Sequence, residues 1–308
     1  MTRLRSLSLL LLAAVTGCGG GEPPADSPTE EPSGAAPSIA APETDIWLAT
    51  LHVGEAGLSL ADARNVTART GYDNQPFFLS DGSFLYTREA DGSTDIWRYE
   101  PGSGSHSQVT DTPESEYSPT PIPGVDGFSV VRVESDGTQR LWEFDMGGGN
   151  ATVIFPDIAP VGYHAWIDGE NAFLFILGEP PTLHAARRGV AGSTLLAEGI
   201  GPSIQKVPGQ PSVSFVEVTE VGTEIETWTL DGVLSRLVAE GVDGAAHHAW
   251  TPDGTLLQAS GNAVFAFSSD GMGWMQIGTL PEGYQITRLA VSQDGGRLAM
   301  VAGPPAGG

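Results

Sequence analysis

Cysteine is almost absent from this sequence, because Cys18 is the only one in 308 residues. An internal disulfide and a metal site built from several thiolates are therefore excluded. Basic residues are also scarce: 14 Lys and Arg stand against 38 Asp and Glu, a formal charge of -24. Such a surface repels phosphate backbones and anionic lipid headgroups, which argues against a nucleic-acid partner.

The N-terminus also lacks an apolar run long enough to span a bilayer, which needs about 20 residues. Arg3 and Arg5 precede the shorter run Ser6–Val15, which is the pattern of a secretory signal peptide. Val15-Thr16-Gly17-Cys18 then resembles the bacterial lipobox, and that resemblance implies cleavage after residue 17 and lipidation of Cys18. A membrane contact through acyl chains on Cys18 follows from this expectation.

The segment that follows Cys18 has no Lys or Arg and almost no bulky apolar side chain. Gly, Pro, Ala, Ser and acidic residues dominate it as far as Thr44, so it cannot bury enough surface to offset the entropy of ordering. The predicted organisation is a signal peptide over 1–17, a lipidated spacer over 18–44, a folded body over 45–303 and a tail over 304–308. We expect an exported protein held in the periplasm or at the cell surface, with the outer membrane as the favoured anchor.

Glycine and proline, in contrast, are abundant, with 41 and 23 residues. They punctuate a repeat of about 43 residues, whose marker is a turn after a short apolar run, of the form Leu79-Ser80-Asp81-Gly82. Related turns recur at 124–127, 166–169, 207–210, 251–254 and 292–295. A repeat of this length built from strands is typical of propeller blades. Asp-Gly suits a two-residue hairpin, which requires positive φ at both central residues.

The count of turns predicts an all-β protein with six blades. Five are complete, over approximately 73–110, 111–155, 156–199, 200–241 and 242–280. The sixth combines 45–67 with 281–303, because Asp45-Ile46-Trp47 echoes Asp95-Ile96-Trp97. Strand periodicity places Trp97 with Tyr99, and Trp142 with Phe144, on faces that pack between blades.

Three segments carry a family resemblance: Leu79-Ser80-Asp81-Gly82, Ala90-Asp91-Gly92-Ser93-Thr94-Asp95-Ile96-Trp97 and Gln108-Val109-Thr110. They resemble the TolB-type propeller repeat, itself similar to WD repeats, and the resemblance covers nearly all of 45–303. It implies a six-bladed β-propeller that binds partners in the periplasm. No Gly-x-Ser-x-Gly elbow accompanies the repeats, so a hydrolase of the prolyl-oligopeptidase type is not indicated.

In such propellers the loops that lead into the inner strands gather at one mouth of the central channel. The side chains predicted there are rich in aromatic and hydrogen-bonding groups: Tyr72, Asp73, Asn74, Glu116, Tyr117, Tyr163, His164, Ser203, Gln205, His247, His248 and Tyr284. These groups suit a ligand site, and they equally suit a plug that fills the channel. Imidazole and carboxylate ligands also leave open a divalent metal at His164, His248 and Glu116.

Three functions remain open from the sequence. The favoured one is a non-catalytic binding or scaffold module for a protein or peptide partner in the cell envelope, with no cofactor. The second is a lyase or hydrolase that uses a metal at the channel mouth and acts on a carbohydrate-like substrate. The third is a metal-free sensor of a small molecule.

Overall fold

The part of the chain that the structure describes contains 24 β-strands, which form six four-stranded antiparallel sheets. The computed structural model describes residues 42–54, 57–230, 236–268 and 272–304. The predicted signal peptide, Cys18 and most of the predicted spacer lie outside the described residues. No helix in the described part of the chain has the length and apolarity needed to cross a bilayer.

The strands follow one another along the chain with short connections. In chain order they are β1 (Asp45–Gly54), β2 (Gly57–Asn65), β3 (Asp73–Phe78), β4 (Phe84–Ala90), β5 (Ser93–Glu100), β6 (Ser105–Gln108), β7 (Ser115–Pro121), β8 (Gly127–Val133), β9 (Gln139–Asp145), β10 (Thr152–Val153), β11 (Val161–Trp166), β12 (Asn171–Ile176), β13 (Thr182–Arg187), β14 (Thr194–Glu198), β15 (Ile200–Lys206), β16 (Ser212–Thr219), β17 (Gly222–Thr229), β18 (Arg236–Glu240), β19 (His248–Trp250), β20 (Leu256–Ser260), β21 (Ala263–Ser268), β22 (Gly273–Thr279), β23 (Gln285–Val291) and β24 (Arg297–Gly303).

Each sheet is one blade of a six-bladed propeller, and the predicted fold is confirmed. Blades 1 to 5 are consecutive groups of four strands, β3–β6, β7–β10, β11–β14, β15–β18 and β19–β22. Blade 6 has the order β2-β1-β24-β23, so it joins the two ends of the described chain. Asp45 pairs with Ala302 and Thr50 with Arg297, which closes the ring through a continuous antiparallel ladder. Hydrogen bonds between the first and the last strand of the described chain therefore hold blade 6 together.

The hydrophobic core lies between the blades. The buried apolar side chains of the described residues fall into six clusters, one for each pair of adjacent blades. Tyr99 packs with Ile46 of blade 6, and Phe144 packs with Ile96 of blade 1. Trp97 and Trp142 lie at the margins of the same two clusters. The aromatic side chains of this register therefore hold neighbouring blades together, as their periodicity predicts.

The two kinds of Asp-Gly turn differ in structure. At Asp91-Gly92 both residues have positive φ, 54° and 87°, and Ala90 pairs with Ser93, as a two-residue hairpin requires. At the blade marker only Gly82 has positive φ, and the N–H of Leu79 bonds the carbonyl of Ser83. The expectation of a two-residue hairpin is wrong there, because Asp81 uses its carboxylate to accept the N–H of Ser83 at 3.0 Å. The marker turn is thus a longer loop stabilised by an Asp side chain.

Candidate functional site in the central channel

The six innermost strands, β3, β7, β11, β15, β19 and β23, surround a central channel. Each leads to an anchor residue whose N–H bonds a carbonyl four or five residues further on: Leu79, Ile122, Ile167, Val207, Thr251 and Ser292. Four residues before each anchor stands one residue of what we call the channel layer: Gln75, Ser118, Tyr163, Ser203, His247 and Arg288. We call the end of the channel where the inner strands begin the start face, and the end at the anchor turns the turn face.

The channel layer makes contacts across the channel. The guanidinium carbon of Arg288 lies 5.0 Å from the ring centre of Tyr163. Blades 6 and 3 carry these residues and are opposite one another in the ring. The ring of His247 meets Tyr163 edge-on at 6.4 Å. Side chains from three blades therefore converge near the start face.

Tyr72 interacts electrostatically with Arg288, Tyr163 and Tyr117. Burial raises the pKa of the Tyr72 phenol above its ordinary value, the Arg288 charge opposes that rise, and Tyr163 and Tyr117 add to it. Burial also lowers the pKa of His247 well below its usual value, and the nearby Arg288 charge acts in the same direction. The phenol is therefore protonated and the imidazole neutral at physiological pH, and Arg288 is the charged member of the group.

A cavity of about 260 Å³ occupies the rest of the channel. It extends from Tyr163 and Arg288 to Pro123 and Pro208, which lie in the anchor turns, and all six inner strands contribute to its wall. Phe77 is the exposed aromatic side chain of the wall, with 37 % of its surface accessible. The cavity therefore opens towards the turn face.

Prolines remove hydrogen-bond donors from the channel-facing edges of three inner strands. Pro76, Pro119 and Pro202 line the cavity, and none has an N–H to offer to another strand. Gln75 and Ser118 stand directly before two of them with φ of 56° and 55°, a left-handed conformation that costs energy in residues with a side chain. The Gln75 carboxamide oxygen offsets this cost by accepting the Ser118 N–H and the Thr87 hydroxyl, each at 2.8 Å.

His164 belongs to a polar contact between blades 2 and 3. Its Nε2 lies 2.6 Å from the hydroxyl of Ser129, which also accepts the indole N–H of Trp166 at 2.8 Å. Because the same hydroxyl donates to the carbonyl of Thr120 at 3.1 Å, His164 must donate through Nε2. Burial lowers the pKa of His164 to about 3, so the ring is neutral at physiological pH.

His248 repeats this arrangement between blades 4 and 5. Its Nε2 lies 2.6 Å from Ser214, which accepts the indole N–H of Trp250 at 2.8 Å. Burial lowers the pKa of His248 to about 3 as well. The Nδ1 of His248 lies 3.0 Å from the hydroxyl of Ser203, another member of the channel layer.

The two histidine contacts differ in one respect. Ser118 and Ser203 occupy the same position in their blades, but the Ser118 hydroxyl does not bond His164 as Ser203 bonds His248. Among the described residues, neither the Ser118 hydroxyl nor Nδ1 of His164 has a hydrogen-bond partner. Both residues line the cavity, whereas Ser203 and His248 do not. The wall of the cavity therefore includes two polar side chains with unused hydrogen-bonding capacity.

Glu116 and Asp73 lie in the junctions between blades rather than in the cavity wall. The Glu116 carboxylate accepts the hydroxyls of Thr110 and Thr112 and lies 3.4 Å from Nε of Arg132. Burial raises its pKa to about 7, the Thr112 hydrogen bond and Arg132 oppose the rise, and Asp95 adds to it. Burial likewise raises the pKa of Asp73 to about 6 against the opposing charge of Arg69.

Three of the predicted mouth residues line the cavity: Tyr163, His164 and Gln205. Asn74 is buried and accepts the N–H of Gln75 through its side chain at 2.7 Å, and Tyr284 packs edge-on against Trp47 at 5.0 Å. Sequence reasoning missed Arg288 and Phe77. Counting four residues back from the Ser292 turn would have identified Arg288, because that spacing gives the channel layer in every blade.

The three candidate metal ligands are not brought together. Glu116 lies at the junction of blades 1 and 2, His164 at that of blades 2 and 3, and His248 at that of blades 4 and 5. One acidic group of the described residues, Glu217, Glu224 and Glu226 on β16 and β17, has oxygens within 4.8 Å of one another. Its three side chains are half-buried on the two middle strands of blade 4, and none of them is among the residues that line the cavity.

Comparison with solved structures supports the fold. The protein assigned as TolB from Agrobacterium tumefaciens superposes with a TM-score of 0.67 at 14% identity, covering 84% of this chain and 98% of that one. A gluconolactonase from Xanthomonas campestris gives 0.59 at 14% identity, with 86% and 98% covered. An oligogalacturonate lyase in complex with manganese gives 0.52 at 16% identity, with 83% and 78% covered.

No family profile and no curated protein sequence matches this chain. The similarity to these structures therefore concerns the six-bladed fold, which proteins with different names and activities share.

Proposed function

We propose that this chain is a lipid-anchored binding module of the cell envelope that receives a segment of a protein or peptide partner in its channel cavity. The observation that carries the proposal is the cavity itself, which all six blades line and which opens at the turn face. A segment that enters such a cavity is removed from water on several sides. A small number of well-placed contacts is then enough for recognition.

The size of the cavity limits what it can receive. Its volume of about 260 Å³ lies just below the range of about 300–1,000 Å³ that is usual for small-molecule sites. One or two side chains of a partner fit such a space, whereas a folded domain or a polymer does not. We therefore infer that a chain terminus or a loop tip of the partner enters the channel.

The lining favours side-chain recognition over strand addition. An added strand needs a row of N–H and C=O groups along an edge, and Pro76, Pro119 and Pro202 interrupt that row. Phe77 and Trp250 offer apolar surface in the wall, and Gln205 offers an amide that can donate and accept. Anchoring of an apolar or aromatic partner side chain, oriented by polar contacts, suits this wall.

A binding role fits the geometry better than metal-dependent catalysis. Gluconolactonase and the manganese-bound lyase show that the fold accommodates enzymes. In this chain the imidazoles of His164 and His248 are committed to Ser129 and Ser214 in separate junctions. A lyase or hydrolase would need ligands that converge on one substrate, and these residues do not converge.

The location is part of the proposal. The lipobox at Val15-Thr16-Gly17-Cys18 and the polar spacer up to Thr44 support export, a lipid anchor and a flexible tether. A tethered propeller in the periplasm or at the surface of the outer membrane can reach partners at some distance from the bilayer.

Site-specific photo-crosslinking tests the proposal in the full-length protein in its own envelope. A benzophenone amino acid at Phe77 should give a discrete adduct with a partner, and one at Val221, which is 95 % exposed outside the channel, should not. Filling the cavity with Gln205→Trp should abolish the Phe77 adduct, whereas Gln276→Trp on the outermost strand β22 should leave it intact. Equal adducts at Phe77 and Val221, or an adduct that persists in Gln205→Trp, would overturn the proposal.

A further inference from the structure

We propose that the cavity recognises a carboxylate on the inserted partner segment and that Arg288 is the group that binds it. The inference rests on the proposed function, because it names the chemistry of the ligand at the same site. Two independent observations carry it: the charge of the cavity wall and the unused hydrogen-bonding capacity of Arg288.

The charge of the cavity wall is opposite to that of the protein. Acidic residues outnumber basic ones by 38 to 14 in the whole sequence. Among the side chains that line the cavity, however, there are two cations, Lys206 and Arg288, and no Asp or Glu. A cavity that contains only positive charge inside an acidic protein attracts an anionic group and disfavours a cationic one.

Arg288 has no carboxylate partner in the described part of the chain. Six other arginines lie in salt bridges with Asp or Glu: Arg69, Arg98, Arg132, Arg140, Arg187 and Arg188. Arg288 is half-buried, and its guanidinium is instead held over the ring of Tyr163 at 5.0 Å. Stacking on a ring leaves the edge of the guanidinium, with its N–H groups, free to donate to an anion.

The surroundings of Arg288 do not supply a competing anion. Tyr72 and His247 are the groups whose pKa values respond to the Arg288 charge. Burial keeps the Tyr72 phenol protonated and the His247 imidazole neutral at physiological pH. An incoming carboxylate would therefore be the only negative charge next to the guanidinium.

Monovalent charge suits this site better than a phosphate dianion. The second cation of the wall, Lys206, donates to the carbonyl of Ile167 at 2.6 Å and lies exposed at the turn face. One free guanidinium then remains at the inner end of the cavity, and its two parallel N–H groups match the two oxygens of one carboxylate. A free C-terminus or an Asp or Glu side chain of the partner provides such a group.

Calorimetric titration of the full-length protein with matched probes tests the inference. The probes are N-acetyl-Ala-Ala-Ala with a free carboxylate, the same peptide as its C-terminal amide, glucuronate and inorganic phosphate. We expect the free acid to bind at millimolar concentration and the amide to bind about 10- to 100-fold more weakly, because a hydrogen bond to a charged group is lost. Glucuronate binding equal to that of the peptide would assign the carboxylate to a sugar acid and overturn the peptide assignment.

Arg288→Gln should reduce the affinity for the free acid by about 10- to 100-fold. The variant should then bind the free acid as weakly as the natural protein binds the amide. Arg297→Gln is the matched control, because Arg297 also forms no salt bridge within the described residues but donates to the carbonyl of Gly82 outside the cavity wall. The comparison of acid and amide needs no mutation, so it decides the question even if Arg288→Gln fails to fold.

The outcomes separate this inference from the proposed function. Tighter binding of phosphate than of the free acid, or equal binding of acid and amide, overturns carboxylate recognition. If the Phe77 adduct still forms in that case, the binding function stands and its chemistry differs. If the Phe77 adduct is absent while the acid binds through Arg288, the cavity is an anion site and the partner-binding function fails.

Discussion

The guanidinium carbon of Arg288 lies 5.0 Å from the ring centre of Tyr163, and this contact joins opposite blades across the channel. A cation over an aromatic ring contributes about 0.5 to 2 kcal/mol, so the contact favours this arrangement of the two side chains. Both residues line the cavity, at the end away from the anchor turns.

Ser129→Ala should destabilise the protein by about 2 to 6 kcal/mol. The substitution leaves the indole N–H of Trp166 and Nε2 of His164 buried without a partner, and each such group costs about 1–3 kcal/mol. Urea unfolding measures the effect. Ser103→Ala, in an exposed turn of blade 1, should change the free energy of unfolding by less than about 0.5 kcal/mol. Similar values for the two variants would contradict the role given to Ser129.

Glu116 should make the protein less stable as the pH rises from about 5 to 7. Its pKa is about 7 in the folded protein against an ordinary value of 4.5, so the folded state binds more protons than the unfolded state between these values. The free energy of unfolding then falls with pH, by up to about 1.4 kcal/mol per pH unit for one such group, and levels off above pH 7.

Unfolding of Glu116→Gln across the same pH range isolates this contribution. The difference in stability between the natural protein and Glu116→Gln should decline from pH 5 to pH 7. Glu134→Gln is the control, because hydrogen bonding to Arg140 lowers the pKa of Glu134 and places its pH dependence below 4.5. Parallel pH profiles of the natural protein and Glu116→Gln would show that Glu116 ionises normally.

Gly92→Ala should cost about 1–2 kcal/mol. Gly92 has φ of 87° in a two-residue hairpin, and nothing lies within 4 Å of an added Cβ, so the cost comes from the backbone alone. Gly102→Ala is matched, because its Cβ would also meet nothing and its φ is not positive. Chemical denaturation should show Gly102→Ala equal to or slightly more stable than the natural protein. A neutral Gly92→Ala would refute the assigned turn.

Cys18→Ala should release the protein from the membrane fraction. Acyl chains on Cys18 are the expected anchor, and each buried methylene contributes about 0.8 kcal/mol. Metabolic labelling with radioactive palmitate should mark the natural protein and not the variant, and no second cysteine exists to confuse the result. Persistence of Cys18→Ala in the membrane fraction would show that another segment anchors the chain.

The sequence alone determined the fold of the body. Turns recur at nearly constant spacing, and strand periodicity assigns Trp97, Tyr99, Trp142 and Phe144 to faces between blades. Asp45-Ile46-Trp47 even identified the strand that closes the ring. These features are local and recur in each blade, so several copies support the same assignment. A wrong strand boundary in one blade leaves the assignment of the other blades unchanged.

Only the tertiary structure decided which side chains share the channel. Ligands from different blades have no fixed separation in sequence. Neighbouring residues of an inner strand point in opposite directions, so a shift of one residue moves a side chain from the cavity to the junction between two blades. Glu116 and His248 were therefore grouped with the mouth although they bond residues of adjacent blades. Arg288 and Tyr163, 125 positions apart in the sequence, meet because the ring places blades 3 and 6 opposite each other.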